Sequence, residues 1–227
     1  MKIQDFIESQ INSAPKKDNM GDRIKHMQKS YINAFSILQD SELSFLNEKM
    51  VPKQFKKDEV LIKQGTIADN IIFLTSGIVS SIYTTKSKTF IRDFYFPPLM
   101  FTEQESFMKR TICKFSIVSV TDIECQLLSF KDLETAFIKI PRLREVAYEL
   151  LLNGFINISN RLENLLTLNP EERYVKLLNE NSQLLHKIPL KMIASYLGIT
   201  DVALSRIRKR ISQKKITLDK SIDKKDY

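Results

Sequence analysis

Between Leu190 and Ile211 the stretch "LKMIASYLGITDVALSRIRKRI" leaves the chain little freedom of fold. Two short helices that cross closely need a small residue where they touch and a glycine where the chain turns. Ala194 and Gly198 stand at those places, and Ile193, Leu197, Ile199, Leu204 and Ile207 recur at spacings that fill a small core beneath them. Gly198 suits the left-handed residue that ends a helix, and Thr200 suits the N-cap of the next one. So many fits within one stretch predict a helix–turn–helix.

The outer face of the second helix follows from a turn of about 100° per residue. With Leu204, Ile207 and Ile211 inward, Val202, Arg206 and Lys209 point outward, flanked by Ala203, Ser205 and Arg210. Arg208 falls near the inner side and is expected to lay its stem along apolar surface. A merely solvated helix mixes charge signs, whereas this one sets Arg206, Arg208, Lys209 and Arg210 against Asp201 alone. The imbalance extends further. Residues 187–227 hold 11 Lys/Arg and 4 Asp, so they carry most of the net charge of +8. A basic block of this kind implies a polyanion partner, here double-stranded DNA. Thr200, Val202, Ser205, Arg206, Lys209 and Arg210 are the residues expected to meet it.

Upstream the periodicity changes twice. "DFIESQI" and "YINAFSILQDSELSFLNEKM" carry apolar residues at helical spacing, separated by a break at Pro15 and Gly21. From Val51 to Phe130 short alternating runs rich in Ile, Val, Phe, Thr and Tyr alternate with turn residues, as in an antiparallel sandwich or barrel. Gly65 and Gly77 mark tight corners, and Pro97–Pro98 predicts an exposed loop. Beyond Pro141 the pattern is helical again, and Tyr148, Leu151, Phe155, Ile158, Leu162 and Leu165 recur at alternating steps of three and four. That is a heptad seam, which suits pairing with a second copy. A further stripe, Leu143, Val146, Ala147 and Leu150, lies partly off the seam and would face the chain's own barrel.

Other function classes find little support. The two cysteines, Cys113 and Cys125, are too few for a four-thiolate cluster and read as buried residues in strands. His26 and His186 are far apart, so no metal site or resident cofactor is expected. No nucleophile–base pairing or phosphate-cradling glycine loop appears, and the chain does not read as an enzyme. No apolar run reaches the ~18 residues of a membrane span, and the N-terminus lacks a signal-peptide core, so a cytoplasmic location is expected.

The order of parts resembles the Crp/Fnr family of bacterial transcription regulators. The resemblance is carried by "FKKDEVLIKQG", "IIFLTSGIV", "FSIVSVTDIECQLLSFKDLETAF" and "IASYLGITDVALSRIRK", and it runs from about Phe35 to Ile211. "LSRIRK" looks like the branch found in Bacteroidetes-type bacteria. The resemblance implies an α+β fold: an N-terminal antiparallel, jelly-roll-like β-roll that senses an effector, a long dimerisation helix, and a C-terminal helix–turn–helix. On that pattern residues 1–35 are a helical extension, 36–140 a cyclic-nucleotide-binding-like roll, 141–168 the dimerisation helix, and 169–227 the DNA-binding domain with its basic tail. It further implies a homodimer on an inverted-repeat operator, an unidentified small-molecule effector, and RNA polymerase as a further partner.

Three departures qualify the expectation. Nucleotide-binding members hold the ligand phosphate with Gly-Glu and Arg-Ser/Thr pairs. This loop reads "LMFTEQESFMKRTICKFS", in which Glu103, Glu105, Arg110 and Lys114 are the only candidates for such roles and none can be assigned, so cyclic AMP is not expected. Val202 replaces a polar base reader, leaving Arg206 as the reading arginine. After Ile211 no glycine turn supports a wing hairpin, and a disordered tail is expected instead. A second reading keeps the roll as a ligand-sensing or constitutive module that works mainly through protein partners, with weak DNA binding.

Overall fold

The computed structural model describes residues 34–222. The helical reading of the first 33 residues lies outside the described residues, as does the end of the basic tail.

Helix α1, Asp40–Lys49, opens with the Glu42 carboxylate accepting from the Gln39 N–H at 2.8 Å, which satisfies one of the helix's orphan donors. Eight strands follow: β1 Val51–Phe55, β2 Val60–Ile62, β3 Asn70–Ser76, β4 Val79–Thr84, β5 Thr89–Tyr95, β6 Leu99–Phe101, β7 Ser116–Ser119 and β8 Ile123–Ser129. Between β6 and β7 lies the short helix α2, Gln104–Lys109. The strands form two four-stranded antiparallel sheets, ordered β1-β8-β3-β6 and β2-β7-β4-β5, a jelly-roll-like roll. Gly77 turns the chain from β3 into β4 with φ +86°, and a Cβ there would stand 2.4 Å from the Asp122 carbonyl oxygen. Only glycine fits that corner.

Helix α3, Phe130–Lys139, leads from the roll to the 25-residue helix α4, Leu143–Thr167. Leu143 and Val146 are buried against the roll with Leu133, Ala136 and Ile140. After Leu150 the helix projects away, and at 1.5 Å per residue its whole length is about 37 Å. Helix α5, Pro170–Leu185, turns back, and α6, Leu190–Leu197, and α7, Asp201–Ile222, complete the C-terminal unit.

The sheet β2-β7-β4-β5 is apolar on both faces, which decides where that unit sits. Its inner face presents Val79 and Tyr95 to the roll core. Its outer face presents Ile82, Ile91 and Phe94, which share a second core with Tyr174, Leu177, Ile193, Tyr196, Leu197, Leu204 and Ile207. A register shift between Ser81 and Ile82 permits this division. The edge strand β5 is covered rather than left open: the Ile91 N–H donates to Ser195 Oγ at 2.9 Å.

Several local expectations need correction. Pro97–Pro98 does separate β5 from β6, but Pro98 is buried, because the short connection tucks against the roll. Cys125 lies in β8 as expected, whereas Cys113 lies just before β7; both are buried. Burial pushes the Cys125 thiol up to about 11, well away from a reactive thiolate. The chain after Ile211 continues as helix to Ile222. "SQKKITLDKSI" contains neither glycine nor proline, so nothing local ends the helix. Among the described residues, no helix is long and apolar enough to cross a membrane.

Candidate nucleic-acid interface

The helix–turn–helix forms as its residues require. Ala194, Ile193, Leu197, Leu204 and Ile207 are buried, and Ile199 packs against them at the edge. Gly198 takes φ +70°, its N–H donating to the Ser195 carbonyl at 3.1 Å while the Ile199 N–H reaches the Ala194 carbonyl at 3.0 Å. These bonds satisfy carbonyls that the end of α6 would otherwise leave open. Thr200 caps α7, its Oγ1 accepting from the Ala203 N–H at 3.2 Å.

The six side chains expected at DNA share one exposed surface. Thr200, Val202, Ser205, Arg206, Lys209 and Arg210 are all exposed, with Val202 at 60%. An apolar residue so open beside cations suits contact with a base edge or methyl group better than packing within the chain. Arg210 differs from Arg206 and Lys209, since its guanidinium donates to the Glu171 carboxylate of α5 at 2.7 Å. Arg208 is exposed.

Elements outside the motif hold it in place, and sequence reasoning missed them. Arg161 of α4 stacks its guanidinium over the Tyr196 ring at 3.8 Å and donates to the Tyr196 carbonyl at 2.8 Å. Arg173 of α5 donates to the Leu197 carbonyl at 3.1 Å and to the Leu168 carbonyl at 2.6 Å. Tyr196 also meets Phe94 of β5, ring centroids 5.4 Å apart. The motif therefore rests on the long helix, on the turn that follows it and on the roll together.

In the roll, the loop that precedes β7 uses its charges locally. The Glu103 carboxylate is buried and accepts from the Ser106 N–H at 2.7 Å, capping α2. Lys114 donates to Glu105 at 2.5 Å, and this bond and the pair's mutual attraction hold the Glu105 carboxyl below the usual range and raise the Lys114 amine. Arg110 pairs with Asp69, donates to the Ala68 carbonyl at 2.7 Å and stacks on Phe130. Inside the roll, Tyr95 stacks on Phe101 at 4.7 Å and donates to Ser81 Oγ at 3.2 Å, while Arg92 lies over the Phe115 ring. Burial, reinforced by the charge of Asp93, pushes the Tyr95 hydroxyl up to about 12.

The six seam residues of α4 lie open. Tyr148, Leu151, Phe155, Ile158, Leu162 and Leu165 are all exposed, Phe155 at 67%.

Comparison with known proteins agrees with this geometry. Residues 52–139 match the cyclic nucleotide-binding domain family. No curated protein is significantly similar to the chain in sequence. Similar solved structures include the c-di-GMP-responsive global regulator CLP of Xanthomonas campestris, with TM-score 0.65 and 14% identity over 78% of this chain and 93% of that one. A protein described as a Crp/Fnr-family transcriptional regulator from Eubacterium rectale gives TM-score 0.64 and 14% identity, over 81% and 88% of the two chains. FixK2 of Bradyrhizobium japonicum gives 0.63 and 18%, over 74% and 86%. Residues 52–139 are thus similar to the cyclic nucleotide-binding domain family, and the chain shares the fold of a solved protein described as a Crp/Fnr-family transcriptional regulator.

Proposed function

We propose that this chain is a homodimeric transcription regulator of the Crp/Fnr type that reads an inverted repeat in double-stranded DNA. The observation that carries the reading is the surface of α7, where Val202, Arg206 and Lys209 stand exposed on a helix whose opposite side is locked by Leu204 and Ile207. A recognition helix of this kind enters the major groove. Arg206 is the base reader, its planar fork matching guanine O6 and N7. Lys209 lies further along and meets phosphate, and Thr200 and Ser205 offer hydroxyls to the backbone at the groove's edge. Arg210 plays the smaller part because Glu171 already holds it.

The seam of α4 pairs two copies. A face of six large exposed apolar side chains on one helix is more than a solvated monomer ordinarily shows. Pairing along it places two reading helices about a two-fold axis, as an inverted repeat demands.

The effector of this regulator is not cyclic AMP. A cyclic phosphate needs charge-assisted donors in a dry pocket. Arg110 and Lys114, the loop's candidates, are drawn to Asp69 and Glu105 instead. Titration calorimetry with cyclic AMP should therefore give no binding heat, and a micromolar dissociation constant would overturn this part of the reading.

DNA binding itself is tested by fluorescence anisotropy with a random-sequence duplex at increasing salt. Affinity should fall linearly on a log–log plot, with a slope of about −0.9 for each phosphate neutralised. No measurable binding at low salt would remove the proposal.

A further inference from the structure

An apolar cavity of about 140 Å³, open to solvent at a mouth where Met108 and Leu151 are exposed, lies between the β1-β8-β3-β6 sheet and helices α1 to α4. Ile71, Met100 and Leu128 form its floor, Leu133 and Phe137 of α3 one wall, and Val146, Ala147 and Leu150 of α4 another. Phe101 borders it from the roll side, where its ring stacks on Tyr95, whereas Tyr95, Ser81, Arg92 and Phe115 do not line it. We propose that this cavity is a binding site for a small uncharged apolar molecule, with room for a single aromatic ring or a short branched hydrocarbon, and that it is the regulator's effector site.

Size and chemistry define the ligand. A protein cavity of about 150 Å³ lined by aliphatic and aromatic groups stays dry and takes up benzene. No charged side chain lines this one. An anion or cation placed against that lining would lose its hydration without a partner, which favours an uncharged ligand over a nucleotide or amino acid. Thr102 is already committed, its hydroxyl donating to the Asn70 carbonyl at 2.9 Å. The exposed Gln104 amide lies at the rim, where it can meet one hydroxyl or carbonyl on the ligand. Met50, Met100 and Met108 supply unbranched, polarizable contacts that adapt to a range of shapes.

The position suits an effector. Val146, Ala147 and Leu150 touch the cavity from the helix whose next residues form the seam, and Leu151 belongs to both. A ligand that fills the space bears on how α4 lies against the roll, and α4 also holds Tyr196 through Arg161. Binding at the cavity stands independently of DNA recognition; the effector role rests on the proposed function.

The test uses the full chain with ¹³C-labelled methionine methyl groups and toluene as the probe. Met50, Met100 and Met108 should shift together along one saturable curve, while Met192 in the helix–turn–helix core stays in place. Ala147→Phe, which fills the cavity from α4, should weaken toluene binding about tenfold or more, since overfilled sites accept no further volume. Ala147→Leu provides a milder filling variant if the larger one unfolds. Absence of a saturable shift, whether the chain's own N-terminal segment or a partner protomer fills the space, overturns the site, and so does equal binding by a folded filling variant. DNA affinity measured with and without saturating toluene reads the effector role. A change of about fivefold or more supports it, the low end of the coupling usual between linked sites. Unchanged affinity in a protein that does bind DNA removes the effector role. A chain that binds no DNA refutes the proposed function, while the methionine signals still decide the site.

Discussion

Phe155→Ala isolates the contribution of the proposed dimer seam. Phe155 is 67% exposed in the single chain and belongs to neither hydrophobic core. Complete burial of a large apolar side chain is worth up to about 3 kcal/mol, so covering the exposed two-thirds of this one is worth about 2 kcal/mol. Two-fold symmetry repeats the loss in the second protomer, which gives a ceiling of about 4 kcal/mol per dimer. At about 1.4 kcal/mol per factor of ten, the dimer dissociation constant should rise between ~30-fold and ~700-fold. Analytical ultracentrifugation from nanomolar to high micromolar concentration measures it. Thermal unfolding of the variant monomer should stay close to that of the wild-type monomer, since the ring belongs to neither core. Operator affinity should fall in parallel with dimerisation. An unchanged dissociation constant, or a wild type that sediments as a monomer throughout, refutes the seam.

Other expectations follow from single contacts. Gly198→Ala should cost about 1–2 kcal/mol in denaturant unfolding, the usual penalty of a left-handed residue, because a Cβ there approaches only Leu165 Cδ2, at 3.8 Å. Gly77→Ala should cost about 3 kcal/mol or more, since overpacking against the Asp122 backbone adds to the same penalty; equal costs at the two sites would show the corner to be softer than drawn. Ser195→Ala leaves the Ile91 N–H without its acceptor and should lower stability by about 1 kcal/mol, with faster amide exchange at Ile91 as the specific sign. Lys209→Ala should weaken binding to all DNA sequences alike and reduce the salt slope by about 1, while Arg210→Ala should change it less, because Glu171 competes for that side chain.

What the sequence disclosed was whatever local spacing controls. The turn at Gly198, the small Ala194 and the buried Ile193, Leu204 and Ile207 are set by residues within a few positions of one another, so their pattern could be read directly. The alternation of the roll strands and the exposed apolar stripe of α4 were legible for the same reason. Partnerships between distant residues were not. Ser195 caps an edge strand 104 residues earlier, and Arg161 stacks on Tyr196 from another helix, yet neither contact leaves a periodic trace. "TFIRDFYF" shows that β5 is apolar on both faces, but not that its outer face receives the helix–turn–helix. The same limit applies to charges. Glu103 and Arg110 stood out as polar residues in a ligand-type loop, and only the fold shows one capping α2 and the other paired with Asp69. Arg210 resembles its neighbours in sequence, and is distinguished by the Glu171 carboxylate beside it.

The central claim, that α7 reads DNA as one half of a symmetric pair, is tested most directly by selecting bound duplexes from a random pool with the wild-type chain and with Arg206→Ala. The wild type should enrich inverted repeats whose half-site centres lie about 34–36 Å apart, one helical turn of DNA. Arg206→Ala should bind those sites about 1–3 kcal/mol more weakly and lose its preference at one base pair in each half-site, with the others retained. Enrichment of a single asymmetric site, or an Arg206→Ala protein with the wild-type preference at every position, would contradict it.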